Sequence, residues 1–236
     1  MEKQVLRERV WQELERRGVV TFPRPVYGRI PNFVGSDVAA QRLRSLPVYV
    51  LAKTIMVNPD AAQLAVRELA LQDGKRLLMA SPRLRAGFIM LDPKTIKNLR
   101  EAVTIRGAFK YGYTVDVRKV KVDFIVEGSV AVNLKGGRVG KGEGFGDLEV
   151  AILKEVGAAD ATPIATTVHE LQIVESVPMT EHDVPVDFII TPERTIEVGH
   201  GYRRPSGIFW ELLPPDAFKQ MPILAELREK HDSRRG

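Results

Sequence analysis

A glycine-rich segment between residues 136 and 149 (GGRVGKGEGFGDLE) contains the residue types needed to hold phosphate groups. Four of its glycines stand at the alternate positions 140, 142, 144 and 146. Such a spacing lets backbone N–H groups approach a ligand without interference from a Cβ atom. Arg138 and Lys141 add positive charge, and Asp147 opens a predicted helix whose N-terminus favours anions. The segment therefore predicts a phosphate cradle, and a flexible hairpin between two elements is the structural alternative.

The common nucleotide-binding motifs fit this segment poorly. The dinucleotide pattern needs a third glycine where Phe145 stands, and the P-loop needs Ser or Thr after its lysine, whereas Gly142 follows Lys141. The segment is therefore predicted to bind phosphate in another structural context.

The stretch RVGKGEGFGD resembles the signature of the 5-formyltetrahydrofolate cyclo-ligase family, also called methenyltetrahydrofolate synthetase. In that signature an arginine and an apolar residue precede Gly-x-Gly-x-Gly-Tyr-Tyr-Asp. Further pieces agree in order along residues 1–198: the pair Lys3 and Arg7, Gly74-Lys75 before an apolar strand, and His182-Asp183 followed by Thr191-Pro192-Glu193. The stretches FPRPVYGRIPNF, VNPD and SPRLRAGF are similar to the methenyltetrahydrofolate-synthetase-domain-containing branch.

The resemblance implies an ATP- and Mg²⁺-dependent ligase that converts 5-formyltetrahydrofolate, or a related reduced pterin, to the 5,10-methenyl form. In the family, ATP phosphorylates the formyl oxygen, and ring closure then expels phosphate. The implied catalytic residues are Arg138 and Lys141, and Asp147 is the implied Mg²⁺ ligand. The implied ATP-binding residues are Lys3, Arg7, Arg138, Gly140, Gly142, Gly144, Phe145 and Asp147.

Two departures from the family pattern concern the folate half of the site. The Tyr-Tyr of the signature is Phe145-Gly146 here, so one hydroxyl and one ring are missing. The family's folate-contacting glutamate matches Ala62, although Asp60 and Gln63 lie nearby in the sequence. We therefore expect nucleotide binding to be retained and the pterin pocket to be altered.

The charge distribution leaves a second class of function open. Residues 67–121 carry 13 Lys and Arg against 5 Asp and Glu, whereas residues 122–198 carry 5 against 14. A nucleotide- or RNA-binding module on the same fold would use the basic segment. With only 7% aromatic residues and no aromatic-rich basic strand, stacking of single-stranded RNA is not favoured. A different small-molecule kinase or ligase is the third reading.

Apolar strands alternate with helices along the chain, which predicts an α/β domain with a mostly parallel sheet. The pattern predicts a buried strand over Val48–Val57 and a helix over Asp147–Val156. The resemblance implies a three-layer sandwich similar to ribose-5-phosphate isomerase and coenzyme A transferases. We expect one domain over residues 1–228 and a polar tail over 229–236.

Composition limits the remaining classes. The chain has 236 residues and no cysteine, which excludes disulfides, Cys nucleophiles, zinc ribbons and iron–sulfur clusters. It lacks a run of 18 uncharged apolar residues, so no membrane partner is expected. The N-terminal segment is too charged for a signal peptide, which predicts a cytoplasmic protein.

Overall fold

The computed structural model describes residues 2–199 and 201–233, and it contains one large sheet with helices on both faces. Its helices are α1 Lys3–Arg17, α2 Ser36–Arg44, α3 Pro47–Leu51, α4 Leu64–Gln72, α5 Leu99–Ala102, α6 Ile105–Tyr111, α7 Phe145–Glu155, α8 Ala217–Gln220 and α9 Pro222–Ser233. Its strands are β1 Thr54–Val57, β2 Arg76–Ala80, β3 Phe88–Leu91, β4 Tyr113–Val115, β5 Phe124–Val126, β6 Ala131–Val132, β7 Arg138–Val139, β8 Ile164–Thr167, β9 Phe188–Ile190 and β10 Thr195–Glu197. Within the described ranges, no helix combines the length and the apolar character that crossing a lipid bilayer requires.

The sheet confirms the predicted α/β class. Its strand order is β10-β9-β8-β5-β1-β2-β3-β4, and the five central strands from β9 to β2 run parallel. The outer strands β10, β3 and β4 pair antiparallel. A separate antiparallel hairpin joins β6 to β7.

The sheet is the middle layer of three because alternate residues of each strand enter different cores. Ile55 and Val57 of β1 pack into one cluster with α1, α2 and α4, whereas Met56 packs into the other with α7 and α9. All four residues of β1 are buried, as expected of parallel strands covered on both faces.

The strand predicted over Val48–Val57 is wrong in its first half, which forms α3. Pro47 occupies the first turn of that helix, where its fixed φ suits helical geometry. The helix buries only Tyr49, whose hydroxyl donates to Asp73, and leaves Leu51 80% exposed. The apolar residues in the first half of the run therefore did not indicate a buried strand, whereas those in the second half form β1.

Two predicted boundaries also change. The helix predicted over Asp147–Val156 starts two residues earlier, at Phe145, because Gly144 takes the N-cap position with a φ of 74°. Residue 229, where the polar tail was predicted to begin, lies inside α9, which continues to Ser233. Residues 234–236 lie outside the described residues.

Candidate active site

The polar residues of the site follow the carboxyl ends of two neighbouring parallel strands. Asn58 directly follows β1, and Glu127 directly follows β5. Ligands of open α/β sheets bind outside these strand ends. The β6–β7 hairpin then places Arg138 beside them, and residues 140–144 lead from the hairpin into α7. We call residues 140–144 the glycine loop.

Two cavities meet at the glycine loop. The cationic cavity has a volume of about 450 Å³ and is lined by the cationic residues Lys3, Arg7 and Arg138. The carboxylate cavity has a volume of about 330 Å³ and is lined by Asp60, Glu127 and Glu149. The residues that line both cavities are Arg138, Gly140, Glu143, Gly144, Phe145 and Asp147. The sizes suit small-molecule ligands, and the shared wall would bring two bound molecules together.

Arg138 is a buried cation between the two cavities, with a side chain that is only 2% exposed. Its guanidinium donates to Asp147 Oδ1 at 2.5 Å and to the Gly128 carbonyl at 3.0 Å. Glu127 Oε2 lies 3.8 Å from the same guanidinium. Burial alone would lower the pKa of Arg138, but the two carboxyl groups raise it above its usual value. Arg138 therefore stays charged at the junction.

Lys3 and Arg7 lie one turn apart on α1 and both face the cationic cavity. Lys3 Nζ lies 2.6 Å from Asp183 Oδ2, and Arg7 Nε donates to the Gly140 carbonyl at 2.7 Å. Burial alone would raise the pKa of Asp183, but hydrogen bonds from Lys3 and Thr180 lower it. The first helix thus holds the glycine loop in place and supplies two cations.

Two glycines of the loop need their residue type for conformational reasons. Gly142 has a φ of 112° and Gly144 a φ of 74°, values that residues with a side chain rarely adopt. Gly144 is the N-cap of α7 and lines both cavities, so this helix begins at their shared wall. The structure places Lys141 apart from Lys3 and Arg7, in the carboxylate cavity, where it pairs with Glu143 at 3.1 Å.

Asp147 is the third residue of α7 and does not cap the helix. Its Oδ1 accepts hydrogen bonds from Arg138 at 2.5 Å and from the Val184 amide at 2.8 Å. Both contacts use the same oxygen, which leaves Oδ2 for a cation. No group of three or more acidic or histidine side chains within the described residues could hold a metal alone. One carboxylate beside phosphates and waters is the donor set that Mg²⁺ prefers, so the residues fit this ion.

The carboxylate cavity contains buried acids that the sequence analysis did not single out. Glu127 is 0% exposed, and neither of its oxygens has a hydrogen-bond partner. Burial raises its pKa from 4.5 to about 8. Burial likewise raises the pKa of Glu149, which accepts from Asn58 Nδ2 at 3.0 Å, and that of Asp60. The sequence signal that could have identified Glu127 is its position directly after an apolar strand.

A second buried arginine fixes the backbone that carries Asp60. Arg67 of α4 donates to the carbonyls of Asn58 at 2.6 Å and Asp60 at 2.8 Å. It also donates to the Val103 carbonyl at 2.9 Å, and burial lowers its pKa to about 10. The turn between β1 and α4 is thereby held at the cavity wall.

The structure explains the two departures from the family signature. A Cβ atom at Gly146 would lie 2.6 Å from Glu127 Oε2, so the carboxyl group fills the space beside that glycine. Ala62 is 1% exposed in the core, whereas Asp60 lines the cavity. Acidic side chains therefore line the cavity at positions other than 62, namely Asp60, Glu127 and Glu149.

The loop after β2 contributes a positively charged side chain at the mouth of the carboxylate cavity. Arg83 and Leu84 both have a φ of 54°, which costs a residue with a side chain about 1–2 kcal/mol. The turn places Arg83 in the cavity wall, 3.8 Å from Glu143 of the glycine loop. Backbone strain of this kind clusters at functional sites.

Part of the positive charge of the basic segment 67–121 is buried or paired with acidic residues. Arg67 is buried, Lys75 donates to buried backbone carbonyls, Lys110 pairs with Glu101 and Arg118 pairs with Asp116. The structure therefore does not support the nucleic-acid reading.

Comparison with known proteins shows the family of the chain. A sequence profile described as the 5-formyltetrahydrofolate cyclo-ligase family matches residues 1–192. Methenyltetrahydrofolate synthase domain-containing proteins of Bos taurus and Homo sapiens are 42% and 41% identical over 98% and 97% of this chain. The chain spans only 63% and 62% of the length of these relatives. The solved 5,10-methenyltetrahydrofolate synthetase of Aquifex aeolicus has a TM-score of 0.53 at 18% identity, covering 90% of this chain and all of that one, and so shares the fold.

The raised pKa of Glu127 predicts that stability falls as pH rises. The folded protein keeps a proton that the unfolded chain releases above 4.5, so the free energy of unfolding decreases from there to about pH 8. Each such proton contributes a slope of up to about 1.4 kcal/mol per pH unit. Glu127→Gln should flatten the slope in urea denaturation, and the exposed Glu181→Gln should not. Parallel profiles for wild type and Glu127→Gln would show that Glu127 is ionised in the fold.

Proposed function

Because the chain belongs to the 5-formyltetrahydrofolate cyclo-ligase family, we propose that it catalyses the ATP- and Mg²⁺-dependent conversion of 5-formyltetrahydrofolate, or a related reduced pterin, to the 5,10-methenyl form. The shared wall of the two cavities is the observation that carries this proposal. A cation-lined cavity suits a polyphosphate, and an adjacent acceptor-lined cavity suits a heterocycle rich in N–H groups. Transfer between two bound molecules requires such proximity. The cytoplasmic location predicted from the sequence belongs to the same proposal.

In the first step the formyl oxygen attacks the γ-phosphorus of ATP, and the bond to the β–γ bridging oxygen breaks. Lys3 and Arg7 would hold the phosphates on the cationic side, and the amides at the start of α7 would face them. Arg138 stands between the cavities and would stabilise negative charge on the transferred group. Mg²⁺ held by Asp147 would neutralise phosphate charge.

In the second step the other pterin nitrogen attacks the former formyl carbon. That nitrogen loses its proton, and the carbon–oxygen bond to phosphate breaks. Glu127 lines the carboxylate cavity and presents buried acceptors without a partner, which suits N–H donors of the pterin ring. Lys141 and Arg83 lie on the same cavity and would balance the phosphate formed there.

The proposal is tested by mixing the purified chain with ATP, Mg²⁺ and 5-formyltetrahydrofolate and following the absorbance of the methenyl product together with ADP. We expect equimolar formation of both. ADP formation without methenyl product would favour a different kinase or ligase. ATP binding without turnover of any reduced folate would favour a nucleotide-binding module.

Asp147→Asn tests the proposed metal ligand. We expect turnover to fall about a hundredfold, or ~2.7 kcal/mol, and the Mg²⁺ concentration for half-maximal rate to rise. Some stability should also be lost, because Arg138 keeps a neutral partner instead of a charged one. Asp37→Asn is the matched control, since Asp37 also lies in the first turn of a helix but outside both cavities. An unchanged Mg²⁺ dependence would restrict Asp147 to positioning Arg138.

The pair Gly144→Ala and Gly157→Ala separates phosphate binding from backbone strain. The two glycines have φ values of 74° and 73°, and a Cβ atom at either would meet nothing within 4 Å. Both variants should therefore lose a similar ~1 kcal/mol of stability. Only Gly144 lines the cavities, so only its replacement should weaken ATP binding in calorimetry. Equal ATP affinities would argue against close approach of phosphate to the loop.

A further inference from the structure

One wall of the cationic cavity comes from a part of the chain beyond the family match. The matched region ends at residue 192, yet residues 208–221 supply much of the cavity lining. This segment includes a short turn at Trp210–Leu212 and helix α8. We call residues 208–221 the C-terminal wall. It faces the cavity with Ile208, Phe209, Leu212, Leu213 and Met221.

The C-terminal wall is fixed to the body of the protein. Trp210 is 8% exposed and belongs to the same hydrophobic core as the buried residues of α7. Within the wall it stacks on Phe218, with ring centroids 6.4 Å apart and planes 9° apart. The Ile208 amide donates to Glu155 at the end of α7 at 3.1 Å. The same helix carries Asp147 at its other end. The wall and α7 therefore pack into the same core and are joined by a hydrogen bond.

The polarity of the cavity changes from one end to the other. Lys3, Arg7 and Arg138 lie at the glycine loop, whereas the C-terminal wall is mainly apolar. Leu212 leaves 56% of its surface exposed although it lines the cavity. A ligand made of a flat heterocycle joined to a polyanion matches this cavity, with its anionic part at the cations and its ring at the apolar wall. A base that covered the exposed Leu212 would also remove apolar surface from water.

The polar edge of the wall has a defined hydrogen-bonding character. Gln220 Nε2 donates to Asp216 Oδ2 at 2.5 Å, because a carboxylate can only accept. This leaves Gln220 Oε1 and Asp216 Oδ1 as acceptors at the cavity edge. Two acceptors suit an exocyclic amino group of a base.

We propose that the C-terminal wall binds the nucleobase of the nucleoside triphosphate, with Phe209 and Leu212 against the ring and with Gln220 and Asp216 accepting from its exocyclic amino group. The proposal rests on the nucleotide binding proposed above and assigns the base to residues outside the matched region. It makes the wall, and not the glycine loop, responsible for base selectivity.

Calorimetric titration of each variant with Mg·ATP and with tripolyphosphate tests the assignment, because tripolyphosphate lacks the base. Phe209→Ala should raise the Kd for ATP about tenfold, the expected effect of a lost stacking contact. Leu212→Ala should raise it about threefold, as expected for a smaller apolar contact. Both variants should keep the wild-type Kd for tripolyphosphate. Leu134→Ala is the matched control, since Leu134 is 54% exposed against 56% for Leu212 but does not line the cavity.

The edge contact is tested with ITP, whose base carries a carbonyl in place of the amino group. We expect ITP to bind wild type about tenfold more weakly than ATP, and Gln220→Leu to reduce this difference. Wild-type ATP affinity in both Phe209→Ala and Leu212→Ala would overturn the wall assignment while leaving the proposed function intact. Absence of ATP binding to wild type would overturn the proposed function itself. Because Leu212 is largely exposed, its variant should fold.

Discussion

The buried guanidinium of Arg138 is the charge around which the site is arranged. A cation that is 2% exposed needs compensating groups, and these come from α7, from the segment after β5 and from the backbone near residue 184. Of these partners, Asp147 lines both cavities and Gly128 lines the carboxylate cavity. The groups that keep Arg138 charged in the interior therefore also form part of the wall between the two cavities. A phosphate arriving from the cationic side meets a charge that is already oriented, so little reorganisation is needed.

In the carboxylate cavity, buried acids are fitted to the neighbouring backbone and side chains. Glu127 and Gly146 fit each other closely, because a Cβ atom at position 146 would lie only 2.6 Å from Glu127 Oε2. Arg67 and Asn58 then fix the neighbouring acids Asp60 and Glu149 through hydrogen bonds to backbone and side chain. Burial is the main cause that raises the pKa of Glu127, and the nearby carboxylates Asp147 and Asp60 raise it further. The protonated form of Glu127 is therefore favoured near neutral pH. Such a group can donate as well as accept a hydrogen bond, unlike an ionised carboxylate.

The C-terminal wall adds apolar contacts to the cationic cavity from a part of the chain beyond the matched region. The glycine loop and α1 provide contacts that any polyphosphate could use. The apolar wall is joined to α7 through Glu155, and it adds a surface that suits the proposed base. Affinity and selectivity would thus come from different parts of the chain, joined by one helix.

The sequence by itself determined the α/β class and most of the polar residues that line the cationic cavity. Glycines at alternate positions, Arg138, Asp147 and the spacing of Lys3 and Arg7 are local signals, and the structure places the corresponding side chains and loop on one cavity. Alternating apolar segments likewise predicted the parallel sheet, because burial on both faces leaves a local pattern. Local pattern failed at Pro47–Leu51, where an apolar run forms an exposed helix.

Only the tertiary structure determined which residues form the carboxylate cavity and the C-terminal wall. Glu127, Asp60 and Glu149 are far apart in the chain, and what brings them together is the register of β1 against β5 and the packing of α7. Lys141 shows the same limit, since its side chain turns away from its neighbours in the cradle and lines the carboxylate cavity instead. Burial, which sets the pKa of an acid and leaves it without a partner, is a property of the packed chain and cannot be read from residue type or spacing.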